Sequence, residues 1–168
     1  MLLVSDIHIG VHEEPLLDAL LAAAAQDPDK VVVISGDLTQ DSLADEFERV
    51  TRLLDDLIKA GVAVSVTPGN HDFGSQLLNF KTRLHFLSSN YTTAAQRLSA
   101  ALAPAHAQVQ PGCTLFAEGY DSILRVPSGD VFVALNTQHR AGARVKESQI
   151  EWATPLLQQL LAQDSSTG

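Results

Sequence analysis

Three apolar runs without polar alternation constrain this chain most: "LLVS" (Leu2 to Ser5), "VVVIS" (Val31 to Ser35) and "VAVSV" (Val62 to Val66). Short and largely β-branched, they carry the pattern of strands buried on both faces, as in a parallel sheet covered on each side. The segments between them read as helices. "PLLDALLAAAAQ" (Pro15 to Gln26) has a proline near its start, where a missing N–H costs little. "SLADEFERVTRLLDDLIKAG" (Ser42 to Gly61) has apolar residues at helical spacing, Ser42 and Asp45 as a capping box, and Gly61 as a stop. Parallel strands must be joined by crossovers, so this order implies right-handed βαβ units and an α/β fold.

Downstream the pattern changes. Gln76 to about Ala103 reads as two helices broken near Ser88-Ser89-Asn90, an insertion (about 75–110) over one end of the sheet. After Pro111-Gly112 come "TLFAEG", "SILRVP" and "VFVALNT", with the turn "SGD" (Ser128 to Asp130) between the last two, the pattern of antiparallel strands of a second sheet. "KESQIEWATPLLQQLLAQ" (Lys146 to Gln163) is an amphipathic helix with Pro155 as a kink and Trp152 as a residue covering the core, followed by a fraying "DSSTG". A chain of 168 residues with 45% hydrophobic content suits a single domain over residues 1–168, burying about 70% of its unfolded surface.

The formal charge of -9 argues against strong binding to a nucleic acid backbone, although metal ions can supply local positive charge for a phosphate-bearing substrate. Cys113 is the only cysteine, which excludes an intramolecular disulfide and a thiolate-rich zinc site, and a reducing cytoplasm is the expected location. "MLLV" is too short for a signal peptide and the alanine-rich helix too short to span a bilayer, so no membrane attachment is expected.

Polar residues gather just after the three strands: Asp6 and His8 in "SDIHIG", Asp37 and Asp41 in "SGDLTQD", and Asn70, His71 and Asp72 in "TPGNHDFG". In open α/β sheets ligands bind at the carboxyl ends of strands, so three distant segments should converge on one crevice. Asp6 and His8, two apart, would face the same way if the strand conformation continued, offering an oxygen and a nitrogen to one cation. Gly36 and Gly69 allow close backbone approach or positive φ where the strands break off. Mixed N/O donors without thiolate suit Mn, Fe or Zn. A plainer account makes Asn70 and Asp72 turn residues and Asp6 and Asp37 helix caps, which explains each residue separately but not their conjunction.

Asp-x-His, Gly-Asp and Gly-Asn-His-Asp, in that order and each after a strand, resemble the calcineurin-like metallophosphoesterase superfamily, closely from Met1 to about Phe73 and loosely beyond. "SGDLTQDSLADEFERVTRLLDDL" followed by "TPGNHD" is most similar to the class III cyclic-nucleotide phosphodiesterases, and the Asp-Arg-Gly of the protein serine/threonine phosphatases is absent. The resemblance implies an α/β/β/α sandwich and two divalent or trivalent metal ions. Asp6 and His8 would bind the first, Asp37 would bridge, Asn70 would bind the second and His71 would assist at the phosphate, with Asp72 and Asp41 supporting the ligands from behind. It implies hydrolysis of a small phosphate ester, a cyclic nucleotide or other phosphodiester, by a metal-bound hydroxide.

The same resemblance implies three further histidines, one beyond the last helix and two in a Gly-His-x-His loop. None is present: the histidines are 8, 12, 71, 85, 106 and 139. Relative to the family the chain is therefore expected to be C-terminally truncated, with an incomplete second sheet, an incomplete second metal site and impaired activity. The alternative is an inactive fragment or a binding or regulatory module. His12, His85, His106 and His139 are weak replacement ligands, since a ligand also needs correct distance and support. Unpaired backbone and exposed apolar surface on the second sheet would favour self-association.

Overall fold

The computed structural model describes residues 1–11, 14–27, 30–73, 93, 95–103, 113–115, 120–137 and 144–165. Strands β1 (Leu2–Val4), β2 (Val31–Ser35) and β3 (Ala63–Thr67) form a parallel sheet in the order β1-β2-β3, joined by helices α1 (Glu14–Gln26) and α2 (Ala44–Lys59). The third strand starts one residue later than its apolar run suggests. The reason is local: the Val62 N–H is still occupied by the end of α2, donating to the Leu57 carbonyl at 3.0 Å.

The period of two along each strand separates the faces. Val32, Ile34, Val64 and Val66 point into the main core with Leu17 and Ala24 of α1 and Phe47, Val50 and Leu54 of α2. Val31, Val33 and Ala63 point the other way, onto Leu124, Val126 and Phe132 of the second sheet. Burial on both faces thus holds for β2 and β3. It fails at β1, an edge strand among the described residues, where Leu3 is 72% exposed.

Helix α2 ends as its sequence implies, with Gly61 at φ +77° and its N–H on the Ile58 carbonyl. Its start differs. Ser42 has φ +58°, outside the extended region that an N-cap occupies, and Leu43 takes that place. The reciprocal carboxylate comes from Glu46, not Asp45: Glu46 Oε2 accepts the Leu43 N–H at 3.0 Å.

Residues 95–102 are helical (α3), and Leu98, Ala101 and Leu102 complete the main core. The expected break near Ser88-Ser89-Asn90 lies outside the described residues, as do His12, His85, His106 and His139. Strands β4 (Cys113–Leu115), β5 (Ser122–Arg125) and β6 (Val131–Ala134) form the antiparallel second sheet, with "SGD" in the β5–β6 turn and Gly129 at φ +96°. Helix α4 (Glu147–Ser165) runs on through Pro155. It is tied to this sheet by Gln149, whose Nε2 donates to Asp121 Oδ1 at 2.7 Å and to the Asn136 carbonyl at 2.8 Å, all three residues being buried. Among the described residues no helix is long and apolar enough to cross a membrane.

Candidate metal centre

The loops leaving β1 and β2 run side by side. Asp6 N–H donates to the Gly36 carbonyl at 3.2 Å, His8 N–H to Asp37 at 3.0 Å and Ile9 N–H to Leu38 at 2.9 Å, while Gly36 N–H reaches Thr67 at the end of β3. Strand conformation therefore does not carry Asp6 and His8 to a common side, because β1 ends at Val4 and both residues are left-handed, with φ +54° and +48°. They meet all the same: Asp6 Oδ1 lies 3.7 Å from His8 Nε2. Asp37 is left-handed as well, at φ +50°. Such backbone is disfavoured for non-glycine residues, and its recurrence at three of the motif positions is the kind of local strain that gathers at functional sites.

His8, Asp37 and His71 bring one donor atom each within 4.8 Å of one another. The His8 and His71 rings meet edge to face with centroids 4.4 Å apart. Asp37 Oδ1 accepts the His71 backbone N–H at 2.9 Å. His71 Nδ1 lies 2.7 Å from the Gln40 carbonyl. A carbonyl only accepts, so Nδ1 carries the hydrogen and Nε2 is the nitrogen left to meet a ligand. Asp6 is the open side of the cluster: its side chain is 62% exposed and receives the Ser5 hydroxyl. Asn70 is half-buried at the turn that leads into His71, its carbonyl accepting the Phe73 N–H at 3.3 Å.

Asp72 works from behind. Fully buried, it accepts the Thr39 N–H at 2.8 Å, the Thr39 hydroxyl at 2.9 Å, the Gly69 N–H at 2.8 Å and the Leu38 N–H at 3.2 Å. Burial pushes its carboxyl above the ordinary value, opposed by the backbone N–H groups of Gly69, Thr39 and Leu38 and by the Thr39 hydroxyl. The loops after β2 and β3 are thereby clamped together, so that a Cβ added at Gly69 would sit 2.1 Å from Asp37 Oδ1 and 2.4 Å from Asp37 N. Asp41 is half-buried and is fixed through its backbone N–H, which donates to Glu46 Oε2 at 2.9 Å.

Two contributors are not apparent from the motifs. Gln40 acts through its main-chain carbonyl, which leaves no trace in residue type. Glu46 had a signal, a carboxylate three residues after the true N-cap, but that position is evident only once Leu43 rather than Ser42 is known to begin the helix.

The donor set suits a divalent cation of borderline softness: two imidazoles and a carboxylate, with no thiolate. In a tetrahedral site, donors each about 2.1 Å from one ion stand about 3.4 Å apart, so donors that lie within 4.8 Å of one another would have to draw together to share an ion. Among known families, the model for the calcineurin-like phosphoesterases matches residues 1–139. No curated protein and no solved structure matches the chain.

Proposed function

The chain belongs to the calcineurin-like phosphoesterase family, and we propose that it hydrolyses phosphate esters of the diester class, a cyclic nucleotide being one such substrate, at a metal centre built on His8 and Asp37. The observation that carries this reading is the convergence of His8, Asp37 and His71 from three separate strand ends. Asp6 and His8 would hold one ion of the Mn, Fe or Zn type, Asp37 would lie between it and a second, and Asn70 would face the second. Bound ions of this kind neutralise phosphoryl oxygens and lower the pKa of water toward about 7.

The remaining steps fall to the chain itself. Asp37 uses Oδ1 to hold the His71 main chain, which leaves Oδ2 for a cation. His71 keeps one proton on Nδ1 against Gln40, which leaves Nε2 as the ring position that would hydrogen-bond to the phosphoryl or leaving-group oxygen. His71→Ala should therefore lower turnover of a chromogenic phosphodiester about 100-fold while leaving Mn²⁺ affinity within a few-fold. A matching collapse of Mn²⁺ affinity would make His71 a ligand instead.

A second reading, a binding or regulatory module without turnover, is favoured by the donor count. Among the described residues one group of three histidine or carboxylate donors lies within 4.8 Å of one another, with Asp6 beside it at His8, and Asn70 is the sole motif residue left for a second ion. Calorimetric titration separates the two readings: two tightly held Mn²⁺ ions support the hydrolase, and a single weakly held ion supports the module. Self-association through unpaired backbone and exposed apolar surface of the second sheet would accompany either reading, and light scattering reads it directly.

A further inference from the structure

We infer that Glu46 is a positioning residue for His71, acting through the loop of residues 40–43. A carboxylate in the first turn of a helix is commonplace and usually wet. Glu46 is only 3% exposed, and its bonding exceeds what a cap requires. Its Oε2 accepts both the Leu43 N–H at 3.0 Å and the Asp41 N–H at 2.9 Å, two residues beyond the cap. Its Oε1 lies against Gly10 so closely that a Cβ there would be 2.1 Å away. Glu46 is thus lodged between the loop that carries His8 and the loop that begins at Gln40.

That second loop is what orients His71. The Gln40 carbonyl receives Nδ1–H, the Ser42 hydroxyl donates to the His71 carbonyl, and Gln40 N–H is held by the Ile9 carbonyl at 3.0 Å. The Ser42 backbone, at φ +58°, departs from the conformation that an unbraced chain prefers. Without the acceptor supplied by Glu46, the loop would relax, the Gln40 carbonyl would move off the imidazole, and nothing would select one tautomer of His71. The value of that selection to catalysis rests on the proposed hydrolase; the orientation itself needs only the cluster.

The test uses the full, metal-free chain uniformly labelled with ¹⁵N. The wild type should show His71 as a single Nδ1–H tautomer. Glu46→Gln keeps an oxygen for the two N–H donors and should preserve that signature, whereas Glu46→Ala, and Glu46→Asp with its shorter reach, should give mixed tautomers with the amide spectrum of β2 and β3 unchanged. With Mn²⁺ added, kcat on a chromogenic phosphodiester should fall about tenfold in the latter two variants, with metal affinity and KM little changed. An unaltered His71 signature in a folded Glu46→Ala or Glu46→Asp chain overturns the inference, as does global unfolding of both, which would make Glu46 a support of the fold alone. A tautomer change in a chain that never turns over the ester upholds the inference and removes the hydrolase reading.

Discussion

Two buried aspartates, Asp72 and Asp121, do the same physical work in different halves of the molecule. Each is almost wholly excluded from water and each accepts hydrogen bonds from elements distant in sequence. Asp72 gathers donors from Leu38, Thr39 and Gly69 and so joins the loops that present Asp37 and His71. Asp121 gathers the Asn136 N–H and Gln149 Nε2 and so joins the second sheet to α4. The chemistry is shared, but one network lies beneath a site and the other beneath a layer of the fold. A buried carboxylate is therefore no sign of function by itself; what decides is which side chains its partners carry.

The largest expected effect comes from Asp72→Ala, which orphans three backbone N–H groups and the Thr39 hydroxyl. It should cost about 4 kcal/mol in urea unfolding and weaken Mn²⁺ binding at least about tenfold. Asp121→Ala removes the hydrogen bonds from the Asn136 N–H and Gln149 Nε2 and should cost roughly 2–3 kcal/mol while leaving Mn²⁺ affinity within about twofold. Equal losses of metal binding in the two variants would break the comparison.

Gly69→Ala sharpens it from another side. The new methyl would collide with the side chain and backbone N of Asp37, so Mn²⁺ affinity should drop about tenfold for a stability cost of only about 1–2 kcal/mol. The smallest effect is one of pH. Burial raises the Asp72 carboxyl, so the folded chain favours its protonated form relative to the unfolded chain. Its contribution is then fullest below the unfolded value of about 3.9, falls as pH rises through the raised folded value, and is level above it. The stability difference between wild type and Asp72→Asn should follow that fall.

The same contrast explains what could be read from the sequence. β2 and β3 are legible because both faces are covered, which leaves continuous apolar runs; β1 looks alike in sequence although Leu3 faces outward, since hydropathy does not report what is absent over a face. The motif residues are legible as a set because Asp6, His8, Asp37 and His71 all follow strands. Their approach is not, because it depends on left-handed backbone at Asp6, His8 and Asp37 rather than on strand alternation. Asp72 stood within a recognisable motif, whereas Asp121, Asn136 and Gln149 are ordinary polar residues whose burial arises only when the second sheet and α4 pack. Gln40 contributes a carbonyl that every residue has.

The most direct test of the central claim, that His8 and Asp37 together grip a cation beside His71, is an anomalous-scattering map from crystals of the chain grown with Mn²⁺. The account predicts a peak at ligand distance from an imidazole nitrogen of His8 and a carboxylate oxygen of Asp37, with His71 Nε2 facing it. A map with no peak there, or with the metal held elsewhere while these side chains stay apart, would contradict it.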